Sequence, residues 1–224
     1  MQINGLLAKI VFDKNPDRDF YLEESFPLDW MYPYLEPYGL IFKINRQPLT
    51  ELSGEMVAQD HDYWRRLVGP MIGDWLTDDT PVEQVAAFAK RTFGQQDLSG
   101  FTGNPRFIHN DYSNKTFSKL RSSLAGLYAW RMDQAAGDQD KKRMAVAADF
   151  AFRQAWALCP DSPEAVFRYV NFLLKQNRIS DAVLVADTTA QMPSMQGEDG
   201  QSIRAVVLQL KAFQKSKQTS FGVK

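Results

Sequence analysis

Residues 144–193 have the sequence MAVAADFAFRQAWALCPDSPEAVFRYVNFLLKQNRISDAVLVADTTAQMP, which carries the strongest structural pattern of the chain. Two alanine-rich segments end at Pro160 and Pro193, so a helix is predicted to stop near each proline. Between them Ser162-Pro163 marks a helix start, and apolar residues recur with the 3.6-residue period of an amphipathic helix. A unit of two helices, repeated after 33 residues, is therefore predicted.

Five amphipathic segments follow one another between about Ser113 and Phe213, each with apolar residues three or four positions apart. Their apolar positions are Phe117, Leu120, Leu124 and Tyr128; Met144, Ala148, Phe152 and Ala155; Val166, Tyr169 and Leu173; Ile179, Ala182, Val183 and Ala186; and Ile203, Val206, Leu210 and Phe213. The links between the segments are short, as between antiparallel helices that pack in pairs. The C-terminal half is therefore predicted to be a stack of helix pairs.

This stack resembles tetratricopeptide repeats, which are helix pairs with a period of about 34 residues. The matching positions are the small-aromatic-small-proline series Ala148, Phe152, Ala155 and Pro160, and the turn 175–178 followed by Ala182. Thr189 stands where alanine is usual, Pro193 comes one residue early, and residues 137–142 lengthen the first repeat. We expect about two irregular repeats and a capping helix, which lean on the helices before Gly94.

In such repeats the first helix of each pair lines a concave surface. By this resemblance Phe167, Asn171, Leu174 and Lys175 are expected to bind a protein or peptide partner. Asparagine and lysine in a groove would suit a peptide carboxylate or a peptide backbone. The alternative is that these residues form a solvated helix face.

The region before the stack is predicted to be helical from Ser53 to Gly94. A first helix runs from Ser53 to about Leu76 and is interrupted near Gly69-Pro70. A second helix opens at Thr80-Pro81-Val82-Glu83, where threonine is the expected N-cap and glutamate closes a capping box. Residues 95–110 are predicted to be a connecting loop.

The first fifty residues combine helix and strand signals. Apolar residues at helical spacing open the chain, and residues 19–23 and 39–45 are short runs typical of strands. The three prolines within residues 26–38 favour a turn with a short helix. The predicted fold is mainly α, with a small α/β cap at 1–50, a helical connecting region at 51–111, repeats at 112–217 and a flexible tail at 218–224.

Composition excludes several classes of protein. With 26 basic and 27 acidic residues the net charge is −1, so no global field attracts nucleic acid. Cys159 is the single cysteine, which excludes an internal disulfide and a four-thiolate metal site. No segment approaches the ~20 apolar residues that span a bilayer, so direct membrane insertion of this chain is not expected. No cofactor motif is present.

Four stretches of the sequence together resemble a second family. The two longest are FYLEESFPLDWMYPYLEPYGLIFKINRQPL (20–49) and RFIHNDYSNKTFSKLRSSLAGLYAWR (106–131). With QDHDYW (59–64) and MIGDWL (71–76), they resemble the soluble C-terminal region of bacterial multi-pass membrane proteins related to protein O-mannosyltransferases. The resemblance implies a membrane portion upstream and an extracytoplasmic location at the inner membrane, with the cytoplasm as the alternative. The catalytic acids of such enzymes lie in a membrane-proximal loop, so no catalytic residue is implied here.

Two further clusters deserve a chemical hypothesis. The carboxylates of Glu23, Glu24 and Asp29 are close in sequence to the aromatic residues Trp30 and Tyr34. A sugar-binding or sugar-cleaving site combines carboxylates with aromatic rings in this way, although such rings also fill cores. Asp60-His61-Asp62 could suggest a metal, but neighbouring residues point to different helix faces, so no metal site is expected. We expect a non-catalytic repeat module that mediates protein contacts; the alternative is a carbohydrate-binding or carbohydrate-processing domain built on residues 23–38.

Overall fold

The computed structural model describes residues 3–23 and 27–221. In these ranges it has a mainly α fold with a small N-terminal α/β cap, which confirms the predicted fold class. The elements are α1 Ile3–Lys14, β1 Phe20–Leu22, β2 Leu35–Tyr38, β3 Ile41–Ile44, α2 Gly54–Ile72, α3 Val82–Ala89, α4 Pro105–Ile108, α5 Asp111–Gln134, α6 Asp138–Leu158, α7 Pro163–Lys175, α8 Ile179–Ala190 and α9 Glu198–Phe221. Short 3₁₀ turns precede β2 and α9, and a π-helical turn follows α3.

The cap contains an antiparallel sheet in the order β1-β3-β2. The edge strand β1 and the central strand β3 are the two predicted ones, whereas the other edge strand, β2, lies where a turn with a short helix was predicted. Pro37 lies within β2 opposite Phe42, and β2 is an edge strand, where a missing N–H costs the sheet little. The left-handed φ of Gly39, +62°, closes the tight turn to β3.

Helix α1 is attached to the cap through Phe12, whose ring contacts Phe20, Trp30 and Tyr34 at centroid distances of 5.4, 5.5 and 5.9 Å. The guanidinium of Arg46 lies 4.6 Å from the centre of the Phe12 ring and donates to the Phe12 carbonyl oxygen at 2.8 Å. The opposite side of α1 is different. There the five aliphatic side chains of Ile3, Leu6, Leu7, Ile10 and Val11 are exposed to solvent.

Helix α2 begins at a cap that the sequence indicates, because the Ser53 hydroxyl oxygen accepts from the Met56 N–H at 3.2 Å. The predicted interruption at Gly69-Pro70 is wrong, since the helix continues through Pro70 to Ile72. Pro70 lies in the last turn and its ring is exposed, so only one backbone bond is lost there.

The predicted capping box of α3 is also wrong. Pro81 is the N-cap residue and makes no side-chain cap. The Thr80 hydroxyl instead accepts from the Thr77 N–H at 2.8 Å and donates to the Trp75 carbonyl oxygen at 3.2 Å. It closes the preceding turn and is therefore not available to α3. The helical run ends at Gly94, as predicted.

The five predicted amphipathic segments are helices α5 to α9. Helix α6 packs along α5, α7 packs on α5, α6 and α8, and α9 packs on α8. Buried alanines on α6 allow the helices to approach closely, and Phe152 stacks on Tyr169 of α7 at 5.7 Å. The predicted tail begins inside α9, since residues 214–221 contain neither glycine nor proline and remain helical; residues 222–224 lie outside the described ranges.

A buried ion pair joins helix α2 to helices α5 and α6. Arg121 of α5 donates to Asp60 of α2 at 2.7 Å and to Gln154 of α6 at 2.7 Å. The hydroxyl of Tyr128 donates to the same Asp60 oxygen at 2.8 Å. One hydrophobic core extends from Phe12 to Leu210 across the predicted regions. The division of the chain into those regions stays a prediction.

A helix that crosses a bilayer must be both long and apolar. Among the residues described, none of the helices is both long enough and apolar enough to cross a bilayer. The longest, α5 and α9, each have 24 residues, and polar side chains occur throughout both.

Candidate functional site

A groove between α7 and α9 is the main candidate for a binding site. Helix α7 contributes Phe167, Val170, Asn171 and Leu174, and helix α9 contributes Val206, Gln209, Leu210 and Phe213. Both sets have the spacing i, i+3, i+4, i+7, which places four side chains along one side of a helix. Asn177 and Ile179, at the turn into α8, close one end of a cavity of about 470 Å³.

The groove has an apolar floor and a mixed rim. Val170 and Leu210 are buried and form the floor, while Phe167, Leu174 and Val206 are half-buried in the walls. Asn171, Gln209 and Phe213 are exposed at the rim, the phenylalanine by 46%. An exposed aromatic ring beside an apolar cavity is costly in water, so a partner that covers it would be stabilised by its burial.

The residues that line the groove carry no charge. Their polar groups are the side-chain amides of Asn171, Asn177 and Gln209, which can donate and accept hydrogen bonds. The nearby charged residues bind one another, since Lys211 lies 2.6 Å from Asp187 and Arg178 lies 2.6 Å from Asp181. The electrostatic character of the groove is therefore neutral.

The structure brings together three of the four residues predicted to bind a partner. Phe167, Asn171 and Leu174 line the groove, whereas Lys175 is one helix position further and its ammonium lies 2.7 Å from Asp133 of α5. Lys175 therefore contacts the neighbouring helix. Its role in partner binding stays a prediction, and the Asp133 carboxylate would compete with a partner for the Lys175 ammonium.

Half of the groove was absent from the predicted site. Val206, Leu210 and Phe213 were recognised as the apolar stripe of the last helix, but not as a wall facing α7. The signal that could have found them is the identical spacing of the two stripes. What the sequence does not supply is the position of α9 against α8.

Helix α8 is held in place by a residue that departs from the repeat pattern. The hydroxyl of Thr189 donates to the Pro160 carbonyl oxygen at 2.7 Å and accepts from the Trp156 indole N–H at 3.2 Å. An alanine there would leave both groups without this partner in a buried position. Thr189 thus attaches α8, and with it the end of the groove, to α6.

The aromatic and the acidic residues predicted for sugar contact lie in two different environments. Trp30 and Tyr34 are half-buried, and both rings contact Phe12. Glu23 and Asp29 are exposed on the surface, and Glu24, which belonged to the same cluster, lies outside the described residues. The rings thus have a packing role; sugar contact through Glu23, Asp29, Trp30 and Tyr34 stays a prediction.

The Asp60-His61-Asp62 triplet does not converge on one point. Asp60 is buried against Arg121, while Asp62 is exposed and lies 3.3 Å from Arg65. His61 lies between them, and burial together with the Arg121 charge lowers the pKa of its imidazole. Within the described ranges, no three His, Cys, Asp or Glu side chains are arranged to hold a metal ion.

Cys159 lies at the end of α6 and is buried. Burial, with the nearby Asp161 carboxylate, raises the pKa of the Cys159 thiol far above its ordinary value. The thiolate, which is the reactive form, is therefore strongly disfavoured at neutral pH. Cys159 behaves as a small apolar residue of the core.

Comparison with known proteins gives no relative: no family model, curated protein or solved structure matches the chain. Function must therefore be inferred from the geometry of the chain itself. In that geometry the groove between α7 and α9 unites a concave shape, an exposed aromatic ring and side-chain amides.

Proposed function

We propose that the chain is a non-catalytic helical-repeat module that binds an extended, uncharged, apolar segment of a partner protein in the groove between α7 and α9. The observation that supports this most strongly is the pair of matching stripes on the two helices. Each stripe turns toward the groove, and the cavity between them is open to solvent. A partner segment would cover the part of these apolar side chains that remains exposed to solvent.

The chemistry of the lining supports an extended segment rather than a helix. An extended backbone presents unpaired N–H and C=O groups, which a helix satisfies internally. The amides of Asn171 and Gln209 lie on opposite walls and can donate to and accept from such a backbone. Apolar side chains of the segment would pack on Val170 and Leu210.

The uncharged lining determines which side chains a bound segment cannot carry. A charged side chain placed against Leu174 or Val206 would lose its hydration without gaining an opposite charge. The pairing of Lys175 with Asp133 also makes a terminal carboxylate a poorer ligand than a neutral backbone. We therefore propose an internal, uncharged segment as the occupant.

We further propose that this module is of the tetratricopeptide type and accompanies a glycosyltransferase-like membrane portion on the extracytoplasmic side. The sequence resemblance is the support for this parentage, together with the α7/α8 pair, which is followed by α9 in the place of a capping helix. An antibody against this chain tests it in fractionated cells. In the membrane fraction we expect a band of a protein much longer than 224 residues. A band of about 224 residues in the soluble fraction would contradict the parentage.

Peptide selection tests the binding function. A phage library of random twelve-residue peptides is panned against the full chain, and the affinities of the selected peptides are measured by fluorescence anisotropy. The variant Phe213→Arg places a charge on the groove rim. Leu208→Arg is the matched control, because Leu208 is 71% exposed on the same helix and does not line the groove.

The expected result is enrichment of uncharged apolar peptides that bind Phe213→Arg at least about tenfold more weakly, as one buried unpaired charge predicts. Leu208→Arg should bind them like the unchanged chain. Equal melting temperatures of the two variants would show that folding is not the cause. The proposal is wrong if no sequence class is enriched, or if Phe213→Arg binds the selected peptides with unchanged affinity.

A further inference from the structure

A second cavity lies at the other end of the helical region, where α2 ends, α3 passes and the loop 98–102 folds back. Its volume is about 440 Å³, within the range of small-molecule pockets, roughly 300–1,000 Å³. Three aromatic rings line it, those of Trp75, Phe88 and Phe101. We refer to it as the aromatic pocket.

The three rings form a continuous surface. Phe88 is buried in the centre, and its ring lies 4.6 Å from Trp75 and 6.2 Å from Phe101, with interplanar angles of 38° and 34°. The indole N–H of Trp75 is already satisfied, because it donates to the Ile72 carbonyl oxygen at 2.9 Å. Trp75 and Phe101 are only half-buried, so ring surface remains available for stacking.

The polar groups of the aromatic pocket are those of Gln84, Arg91 and Thr102, all exposed to solvent. In the part of the chain that the structure describes, Arg91 forms no ion pair within 4.0 Å, and the Asp97 carboxylate on which its charge acts accepts a hydrogen bond from the Ser99 N–H at 2.9 Å. The lining itself contains no acidic residue. A guanidinium beside an aromatic wall is suited to an anion, and it would repel a cation from the same rings.

The frame of the aromatic pocket is closely packed. The Asn104 N–H donates to the Met71 carbonyl oxygen at 3.0 Å, which ties the loop to the last turn of α2. A Cβ at Gly103 would lie 2.5 Å from that carbonyl oxygen, and one at Gly73, whose φ is +92°, would lie 2.5 Å from the Thr102 hydroxyl. Arg91 stands on the π-helical turn 90–94, a geometry frequent at functional sites.

From these features we propose that the aromatic pocket binds a small aromatic anion: a planar ring that stacks on Trp75, Phe88 and Phe101, with a carboxylate or phosphonate-type group bound by Arg91. Gln84 and Thr102 can donate further hydrogen bonds to the anionic group. The site is separate from the α7/α9 groove and shares no lining residue with it. It does not depend on the function proposed for the groove.

The test is a titration of the ¹⁵N-labelled full chain, observed at the Trp75 indole signal, which Trp75→Phe identifies among the five tryptophans. The anionic probes are benzoate and phenylphosphonate. Benzamide is the neutral analogue, and phenyl β-D-glucoside is the sugar probe. The variant is Arg91→Gln, and Arg66→Gln, another exposed arginine outside the pocket, is the matched control.

Saturable shifts of Trp75 with both anions are expected, and benzamide should bind at least about tenfold more weakly than benzoate. Arg91→Gln should weaken anion binding by about the same factor, while Arg66→Gln should not. The proposal is overturned by the absence of saturable shifts with either anion. It is also overturned if benzamide or the glucoside binds as tightly as benzoate, or if Arg91→Gln leaves the affinity unchanged.

Discussion

At the scale of single residues, Arg121 shows how a charge can be placed in the core. Its guanidinium is buried, lies 5.0 Å from the centre of the Trp64 ring, and donates to Asp60 and Gln154. A buried charge is tolerated only when an opposite charge and hydrogen bonds replace its hydration. The Arg121–Asp60 pair therefore favours this arrangement of α2, α5 and α6 over others.

Removal of one partner leaves the other charged and buried. For Asp60→Ala we expect the free energy of unfolding to fall by about 3–5 kcal/mol, measured by urea denaturation. Asp62→Ala is the control, since Asp62 is exposed and a surface substitution changes stability by about 0.5 kcal/mol or less. Equal effects of the two substitutions would show that the Arg121 pair is not a structural link.

The neighbouring His61 gives the chain a predictable pH dependence. Burial and the Arg121 charge lower the pKa of the folded imidazole, so below about pH 6.5 the unfolded chain binds the proton more readily. Stability is therefore fully present above that pH and decreases as the pH falls toward the lower folded pKa. Between pH 7 and 5.5 the free energy of unfolding should fall less in His61→Gln than in the unchanged chain. An equal fall of the free energy of unfolding in both proteins would show that His61 is not the cause, because the other histidine, His109, is present in both.

At the scale of elements, α1 has two apolar sides with different roles. Phe12 contacts the aromatic rings of the cap and is buried, as is Gly5, whereas Leu7 and its aliphatic neighbours face solvent. The amphipathic pattern of the sequence indicates a helix, but it cannot say which of the two apolar sides packs against the cap. The ring contacts of Phe12 decide this in the folded chain.

The two sides should respond differently to substitution. Phe12→Ala is expected to cost about 3–5 kcal/mol of stability, because it removes a ring that contacts three others in the core. Leu7→Gln, at a side chain that is 56% exposed, should change stability by about 0.5 kcal/mol or less. A large loss of melting temperature for Leu7→Gln would mean that this side of α1 is covered in solution.

The elements also show what the sequence could predict. All five amphipathic segments from α5 to α9 are helices, because their apolar period is long and regular. Local competition explains the failures: the Thr80 hydroxyl satisfies a turn instead of α3, and Pro37 is tolerated in an edge strand. The α7 side of the groove was expected from the resemblance to tetratricopeptide repeats. The α9 side depends on how α9 packs against α8, which no local pattern contains.

At the scale of the whole molecule, one continuous core supports two separate cavities. The groove is formed by α7, α8 and α9, and the aromatic pocket by α2, α3 and the loop that follows them. Contacts of α3 with α6 and α8 connect the two parts. The helices α5 to α9 are thus packed against the helices that precede them.

The most direct test of the central claim locates a bound peptide on the chain. A selected uncharged peptide is added to methyl-labelled protein, and intermolecular nuclear Overhauser effects are recorded. We expect cross-peaks from peptide side chains to the methyl groups of Leu174 and Val206, on the two walls of the groove. Cross-peaks to the exposed α1 methyl groups of Leu6 and Leu7, with none to Leu174 or Val206, would contradict the assignment of the groove as the binding site.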